Sequence, residues 1–207
     1  MHHLTSQAIS VLRYRQLLNG LWLAWALYWI VSAYGTKQTR RRESLGSRLS
    51  HVLPLVAGTV LIAWPHPQLG RWLSRPLLPP GPLRFGGALA LVGAGLAFTV
   101  WARVCLGGNW SGTVTLKEGH ELIRSGPYAW VRHPIYSGLL VALAGSAVAC
   151  GELRAFAGLA VVAAAFIRKL RTEERFMRER FPGEYAQYSA EVPALIPFAR
   201  PRRSAPR

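Results

Sequence analysis

Apolar residues are gathered in long segments along this chain rather than alternating with polar ones. Five such segments stand out, at residues 17–34, 52–64, 85–106, 135–150 and 155–167. A helix of about 20 apolar residues crosses a bilayer, and about 17 is the lower end of the usual range. The pattern therefore predicts an all-α, multi-spanning integral membrane protein with about five transmembrane helices. The last two segments are short and closely joined, which favours a helical hairpin.

The helical pattern does not stop where the fifth apolar segment ends. Residues 168–180 contain no Pro or Gly, and opposite charges stand four positions apart, as in Lys169/Glu173 and Glu174/Arg178. This predicts one helix that leaves the membrane and continues to Arg180, where Pro182 follows. Residues 184–198 are expected to form a helix and a turn that lie back on the body. The remainder, 199–207, reads as a disordered basic tail.

The charge is strongly positive, with 25 Lys and Arg against nine acidic residues, for a formal net charge of +16. The basic residues flank the apolar segments, as in membrane proteins, and so do not indicate a nucleic-acid partner. With five spans, 19 of them fall on the side of the 107–134 loop and 6 on the other. The positive-inside rule then places that loop in the cytoplasm and the N-terminus outside. No secretory signal peptide is expected, since apolar sequence begins only near Leu17.

The types of residue present restrict the chemistry. All nine acidic residues are Glu, so a magnesium site built on Asp is excluded. Cys105 and Cys150 lie in apolar segments without CxxC spacing, which argues against a zinc site or a disulfide framework.

The polar loop at residues 118–138 is the part of the chain that indicates function. It holds two His, two Arg, two Tyr and two Glu, and Pro127 and Pro134 disfavour helix in the residues before them. Glu173 and Glu174 are expected on the same side of the membrane. Three kinds of site are open: a hydrolytic site with Ser125 or Ser137 but no nucleophile elbow, a metal site, or a site for a cationic or nucleotide-like small molecule. The metal site would use His120, His133 and a Glu.

The motifs of this region resemble those of the isoprenylcysteine carboxyl methyltransferase family, and more distantly those of phospholipid methyltransferases. The similarity runs from about residue 107 to 198. It rests on Gly126-Pro-Tyr, Arg132-His-Pro-x-Tyr-x-Gly138, the Glu173-Glu174 pair, Phe181-Pro-Gly-Glu-Tyr185-x-x-Tyr188 and Ile196-Pro-Phe198.

The resemblance implies S-adenosylmethionine as cofactor, bound without a Rossmann domain in a cytoplasmic pocket formed by the 107–134 loop and the C-terminal helix extension. The residues implied at the nucleotide end are His120, Glu121, Leu122, Ile123 and Tyr128. Those implied at the methionine moiety and the ribose are His133, Pro134, Ile135, Tyr136, Glu173 and Glu174. The cations implied for catalysis are Arg132, Lys169 and Arg171, with no metal. The implied division of the chain is 1–106 for the first three transmembrane helices and 107–198 for the methyltransferase core.

The implied reaction transfers a methyl group to a lipophilic or prenylated acceptor, here expected to be a carboxylate of an isoprenylcysteine-like substrate. A carboxylate is already nucleophilic, so alignment and a dry site suffice, whereas an amine would need a proton acceptor. A phospholipid or other lipid N-methyltransferase is the alternative on the same scaffold. A non-enzymatic basic membrane protein that binds anionic lipid is the alternative of another class. The expected location is a multi-pass position in a membrane, the inner membrane in a bacterium.

Overall fold

The computed structural model describes residues 2–34, 39–42, 44–64, 70–109, 115–117 and 122–199. Within these ranges the chain forms seven α-helices, two short strands and two 3-10 turns. The helices are α1 (His2–Ser32), α2 (Leu45–Ala63), α3 (Gly70–Leu73), α4 (Pro82–Leu106), α5 (Pro134–Cys150), α6 (Leu153–Arg180) and α7 (Pro182–Glu191). The strands are β1 (Thr39–Arg42) and β2 (Thr115–Lys117), and the turns are Gly107–Asn109 and Gly126–Ala129.

Each predicted apolar segment is helical, in α1, α2, α4, α5 and α6. By length and composition α2 and α4 could cross a membrane, and α5 is a shorter apolar helix. The first two helices begin before their apolar segments, at His2 for α1 and at Leu45 for α2. An N-cap explains the second: the Ser44 side chain accepts a hydrogen bond from the Ser47 amide, 3.3 Å away. An apolar pattern identifies the part of a helix that is kept away from water, but it does not show where the polar ends of the helix lie.

One local feature departs from the all-α prediction: β1 pairs antiparallel with β2, and Thr39 stands opposite Lys117. Between α2 and α4, α3 forms a single helical turn, and α4 begins after Gly81. The strand pair joins the segment after α1 to the segment after α4, so these two loops lie at the same end of the bundle.

Buried arginines show that the long helices alternate in direction. The Arg103 guanidinium donates to the carbonyl of Ser32 at the end of α1, and also to that of Gly107, 2.7 Å away. At the opposite end, Arg154 donates to the carbonyl of Leu61 near the end of α2, at 2.7 Å. The last carbonyls of a helix have no partner within it. In apolar surroundings these carbonyls need a donor from elsewhere, and the guanidinium groups supply it.

Small residues set the closest helix crossings. A Cβ added to Gly95 of α4 would lie 2.5 Å from the carbonyl oxygen of Gly138 in α5, so only glycine permits this approach. The α2–α6 crossing is built in the same way from Gly58 and Gly158. A Cβ added to any of the other three α4 glycines would meet nothing within 4 Å: Gly86, Gly87 and Gly93.

The predicted continuation of the fifth helix is confirmed, since α6 is a single helix of 28 residues. The α4–α5 and α2–α6 contacts are the most extensive between helices, so the predicted N-terminal and C-terminal parts form one packed bundle. A buried apolar cluster lies between α2, α5 and α6 and comprises Ile62, Tyr136, Leu143, Val162, Phe166 and Leu170. The polar residues described next stand at the end of this cluster.

Candidate active site

The loop before α5 turns sharply and delivers its polar side chains to the start of the helix. Gly126 adopts φ 59°, where a side chain would be strained and would also press on Cys105. The 3-10 turn that follows buries Tyr128. Pro134 then occupies the first turn of α5, where its missing N–H costs nothing. His133 therefore immediately precedes the helix and Tyr136 lies in its first turn.

Four residues form a compact polar group between α5 and α6. The Tyr136 hydroxyl donates to Glu173 Oε1 at 2.5 Å. His133 Nδ1 lies 3.6 Å from Glu173 Oε2, and its Nε2 lies 3.4 Å from Glu174 Oε1. The imidazole thus bridges two consecutive carboxylates of α6. Of these, the Glu173 side chain is 24% exposed and that of Glu174 is 9% exposed.

Aromatic rings stack behind this group. The Tyr136 ring lies 4.8 Å from that of Phe166 at an interplanar angle of 13°, and 5.5 Å from the imidazole of His133 at 3°. The Lys169 ammonium stands 5.4 Å from the centre of the Tyr136 ring. Phe166, Lys169 and Glu173 are separated by three and four positions, so one face of α6 carries all three.

Glu174 is bound chiefly to Arg132. Its Oε1 accepts hydrogen bonds from Arg132 Nε at 3.0 Å and Nη2 at 2.5 Å, and its Oε2 accepts one from Arg178 at 3.1 Å. The Arg132 side chain is only 10% exposed. Arg132 Nη1 donates to the carbonyls of Ser189, at 3.1 Å, and Val192. The same guanidinium therefore joins α6 to the end of α7.

The chain after α7 is laid across the start of α5, and we call residues 192–195 the C-terminal strap. The amides of Arg132 and His133 donate to the carbonyls of Pro193 and Ala194 at 2.9 and 3.0 Å. The Ser137 hydroxyl donates to the Leu195 carbonyl at 2.6 Å. These bonds confirm that the segment after Arg180 lies back on the body, and they fix the backbone that carries His133.

Contacts between Glu173, Glu174 and His133 favour the charged forms of these three side chains. Burial would raise the pKa of Glu174, but hydrogen bonds from His133 and Arg132 outweigh it and hold the pKa at about 2. Burial likewise opposes ionisation of Glu173, yet hydrogen bonding by His133 and the charge of Lys169 lower its pKa below the ordinary value. Burial would lower the pKa of His133, whereas its bonds to the two carboxylates raise it above 6.5.

The structure gathers most of the residues that the resemblance implied. His133, Tyr136, Glu173, Glu174, Arg132 and Lys169 meet at one place, with Pro134 buried and Ile135 packed on the apolar cluster. Leu122 and Ile123 are half-buried in the segment leading to Tyr128. His120 and Glu121 lie outside the described residues. Within the described ranges, no group of three or more His, Cys or Glu is arranged to hold a metal ion.

The two candidate cations on α6 point to different places. Lys169 stands at the Tyr136 ring. Arg171 instead lines a surface groove of about 570 Å³ whose other lining residues are Glu174, Arg175, Arg178 and Glu179. Lys169 is thus the one of the pair that contacts the aromatic group.

Several residues that shape the site were not singled out as site residues from the sequence. Phe166 supports Tyr136, and the Tyr188 hydroxyl donates to the Tyr128 carbonyl at 2.6 Å in a buried position. The spacing of Phe166 to Glu173 places both on one face of α6, so the sequence could have indicated Phe166. It could not have indicated the carbonyls of Ser189 and Val192, which accept from Arg132, because every residue carries a backbone carbonyl.

The chain thus combines two apolar helices long enough to cross a membrane, α2 and α4, with a charged and aromatic group where α5 and α6 meet. The sequence model of the isoprenylcysteine carboxyl methyltransferase family matches residues 88–179. This region contains Arg132, His133, Tyr136, Glu173 and Glu174, and it belongs to that family.

Individual relatives match parts of the chain. The chain is 35% identical over 83 residues to protein-S-isoprenylcysteine O-methyltransferase B of Arabidopsis thaliana, covering 40% of this chain and 42% of that protein. It is 34% identical over 129 residues to the cobalt-zinc-cadmium resistance protein CzcN of Cupriavidus metallidurans, covering 62% and 52%. The chain therefore spans about half the length of the curated relatives it matches.

A solved structure is also similar to this chain. It is described as the eukaryotic intramembrane Ras methyltransferase ICMT without a monobody. The similarity has a TM-score of 0.48 at 23% identity and covers 76% of this chain and 54% of that one.

Proposed function

We propose that the protein transfers a methyl group from S-adenosylmethionine to a carboxylate of a lipophilic, isoprenylcysteine-like acceptor. The observation that carries this proposal is the Tyr136–Glu173–His133 group, which lies inside the region matched by the methyltransferase family.

The donor set fits this cofactor, which when bound supplies an electrophilic methyl group on a sulfonium. Glu173 is ionised and partly exposed, so its carboxylate can accept from hydroxyl or ammonium groups of a ligand. The Tyr136 ring already has one cation near it, which shows that its environment tolerates positive charge. We assign the methionine end to His133, Pro134, Ile135 and Tyr136, and the nucleotide end to His120, Glu121, Leu122, Ile123 and Tyr128.

The two adjacent carboxylates have different surroundings, and we propose different roles for them. Glu173 keeps a partly exposed carboxylate that can face a ligand. Glu174 has both oxygens bonded within the protein, so any contact it makes with the ribose or amino group would add to its bond with Arg132. The main role of Glu174 is therefore to hold Arg132 in place.

The same electrostatics favour a carboxylate acceptor over an amine. Glu173 and Glu174 have lowered pKa values, and His133 is held towards its protonated form. Groups in these states are poor proton acceptors near neutral pH. An acceptor that is already an anion needs only alignment, which cations can give. We propose Lys169 and Arg132 for that task, with Arg171 as the more distant candidate.

We further propose that the site faces the cytoplasm, with the N-terminus on the other side of the membrane. The antiparallel pairing of β1 with β2 supports this, because it places two basic loops at one end of the bundle. Cysteine labelling from each side of sealed vesicles at Ser10 and Ser204 tests it. Labelling of both positions from the same side would eliminate the five-span arrangement.

The function is tested with purified protein in lipid vesicles. Calorimetry with S-adenosylhomocysteine should show one binding site, weakened in Glu173→Gln and unchanged in Glu184→Gln on the exposed surface of α7. Incubation with methyl-labelled S-adenosylmethionine and a farnesylcysteine acceptor should give a product that releases labelled methanol in base.

The result separates the proposal from its alternatives. A base-stable labelled phospholipid would indicate an N-methyltransferase instead of a carboxyl methyltransferase. An absence of S-adenosylhomocysteine binding in correctly folded protein would favour a non-enzymatic role of the basic face in binding anionic lipid.

A further inference from the structure

An exposed apolar turn follows the C-terminal strap. Ile196 is 69% exposed and Phe198 is 95% exposed, with Pro197 between them, and we call residues 196–198 the apolar tip. Phe198 has φ 64°, the left-handed region that residues other than glycine seldom adopt. An aromatic side chain this exposed is unfavourable in water, and a left-handed backbone is unfavourable for a residue other than glycine. We therefore expect another apolar surface to cover the tip.

The position of the tip is fixed by the strap beside it. The Leu195 carbonyl accepts from Ser137, which lies in the first turn of α5. The Leu195 side chain packs on the same apolar cluster as Ile135 and Leu139. The tip therefore stands level with the beginning of α5, where the polar loop ends and the apolar helix starts. For a helix that enters a bilayer, this is the height of the boundary between head groups and acyl chains.

We propose that the apolar tip inserts into this boundary and anchors the C-terminal strap to the membrane surface. Aromatic and aliphatic side chains bind there through apolar burial, and neighbouring Lys or Arg add attraction to anionic lipid. The sequence directly after the tip supplies Arg200, Arg202 and Arg203. The lipid boundary thus offers a partner for both the apolar and the basic character of this segment.

Other coverings fit less well. Residues 199–207 contain no aromatic or large aliphatic side chain, so they cannot bury Phe198. A second copy of the chain would leave the basic residues beside the tip in contact with an equally basic protein, given the net charge of +16.

The anchor has a consequence for the active site. The strap bonds the amides of Arg132 and His133 and joins Arg132 through Val192. A tip held in the lipid would brace the backbone that positions both residues. The proposal concerns lipid contact and stands whether or not the acceptor is the one proposed above.

Site-specific photocrosslinking tests the contact in intact protein. The photoreactive residue p-benzoyl-L-phenylalanine replaces Phe198, or Ile196 in a second variant, and the protein is reconstituted in vesicles of phosphatidylcholine and phosphatidylglycerol that carry an alkyne tag on the acyl chain. Gln187, exposed on α7, serves as the matched control position.

After irradiation, the tip positions should give tagged-lipid adducts in several-fold higher yield than position 187. The crosslink is read by mass, independently of methyl transfer, so its failure is distinguishable from failure of the proposed function. Equal yields at the tip and at Gln187, a crosslinked dimer, or a crosslink within the chain in place of a lipid adduct would overturn the proposal. If the Phe198 variant does not fold, the Ile196 variant decides the question alone.

Discussion

The adjacent residues Glu173 and Glu174 allow a test that separates ligand binding from structural support. Glu174→Gln removes the charge from a carboxylate that is 9% exposed and bonded to Arg132 through Nε and Nη2. Removing one partner of a buried ion pair typically costs about 3–5 kcal/mol, because the other charge is left uncompensated. The amide keeps the shape and one oxygen acceptor, so we expect a loss near the lower limit, about 3 kcal/mol. For a chain of this size that corresponds to a melting temperature lower by roughly 6–12 °C.

Glu173→Gln is the matched change one residue earlier. Its side chain is 24% exposed and its strongest bond is from the Tyr136 hydroxyl, which an amide oxygen can still accept. We therefore expect little change in melting temperature. Affinity for S-adenosylhomocysteine should fall by about 1–3 kcal/mol, the usual effect of leaving a polar partner unsatisfied.

Both quantities can be measured on one preparation. Tryptophan fluorescence on heating gives the melting temperature, and calorimetry gives the affinity. If Glu174→Gln melts with the wild type, or if Glu173→Gln binds S-adenosylhomocysteine normally, then the roles assigned to the two carboxylates are wrong.

Three further predictions follow from other contacts. Arg132→Lys should slow methyl transfer by about tenfold or more, or 1.4 kcal/mol, with cofactor affinity nearly intact, because Lys offers no planar fork; near-normal turnover would contradict this. Gly95→Ala should lower the free energy of unfolding by about 1–3 kcal/mol, since its Cβ would meet backbone of α5, whereas Gly93→Ala should be close to neutral; equal effects in chemical unfolding would rule out the close crossing. Since its bonds to two carboxylates raise the pKa of His133, the stability it contributes is present below pH 6.5 and is lost as pH rises through its folded pKa. Melting curves across this range should show that loss in the wild type and not in His133→Gln, and stability increasing with pH would contradict it.

Much of the helical scaffold could be predicted from sequence because its causes are local. Length and apolarity of a segment decide whether it can form a helix away from water, and the absence of Pro and Gly between 168 and 180 carries α6 beyond the apolar part. The polar ends could not be placed in the same way. The residues before Leu17 continue α1, and those around Leu45 form the start of α2 beneath the Ser44 N-cap; an apolar pattern does not record either.

The same distinction applies to the candidate site: the sequence indicated its residue types, but not which of them contact each other. The residue types needed, His133, Tyr136 and Glu173, were evident from motif and spacing. Their partners were not, because Arg132 and Glu174 are 42 positions apart and meet only once α5 and α6 are packed side by side.

The sequence by itself thus determined the apolar helices, the polar loop and the set of chemical groups available to a ligand, since these depend on neighbours in the chain. Only the tertiary structure decided that Arg132 is bound by Glu174 and the end of α7, and that Gly95 rather than Gly93 faces α5. The physical reason is that a side chain's partner is set by the rotation and depth of one helix against another. That relation is the sum of many contacts distant in sequence, and no local pattern contains it.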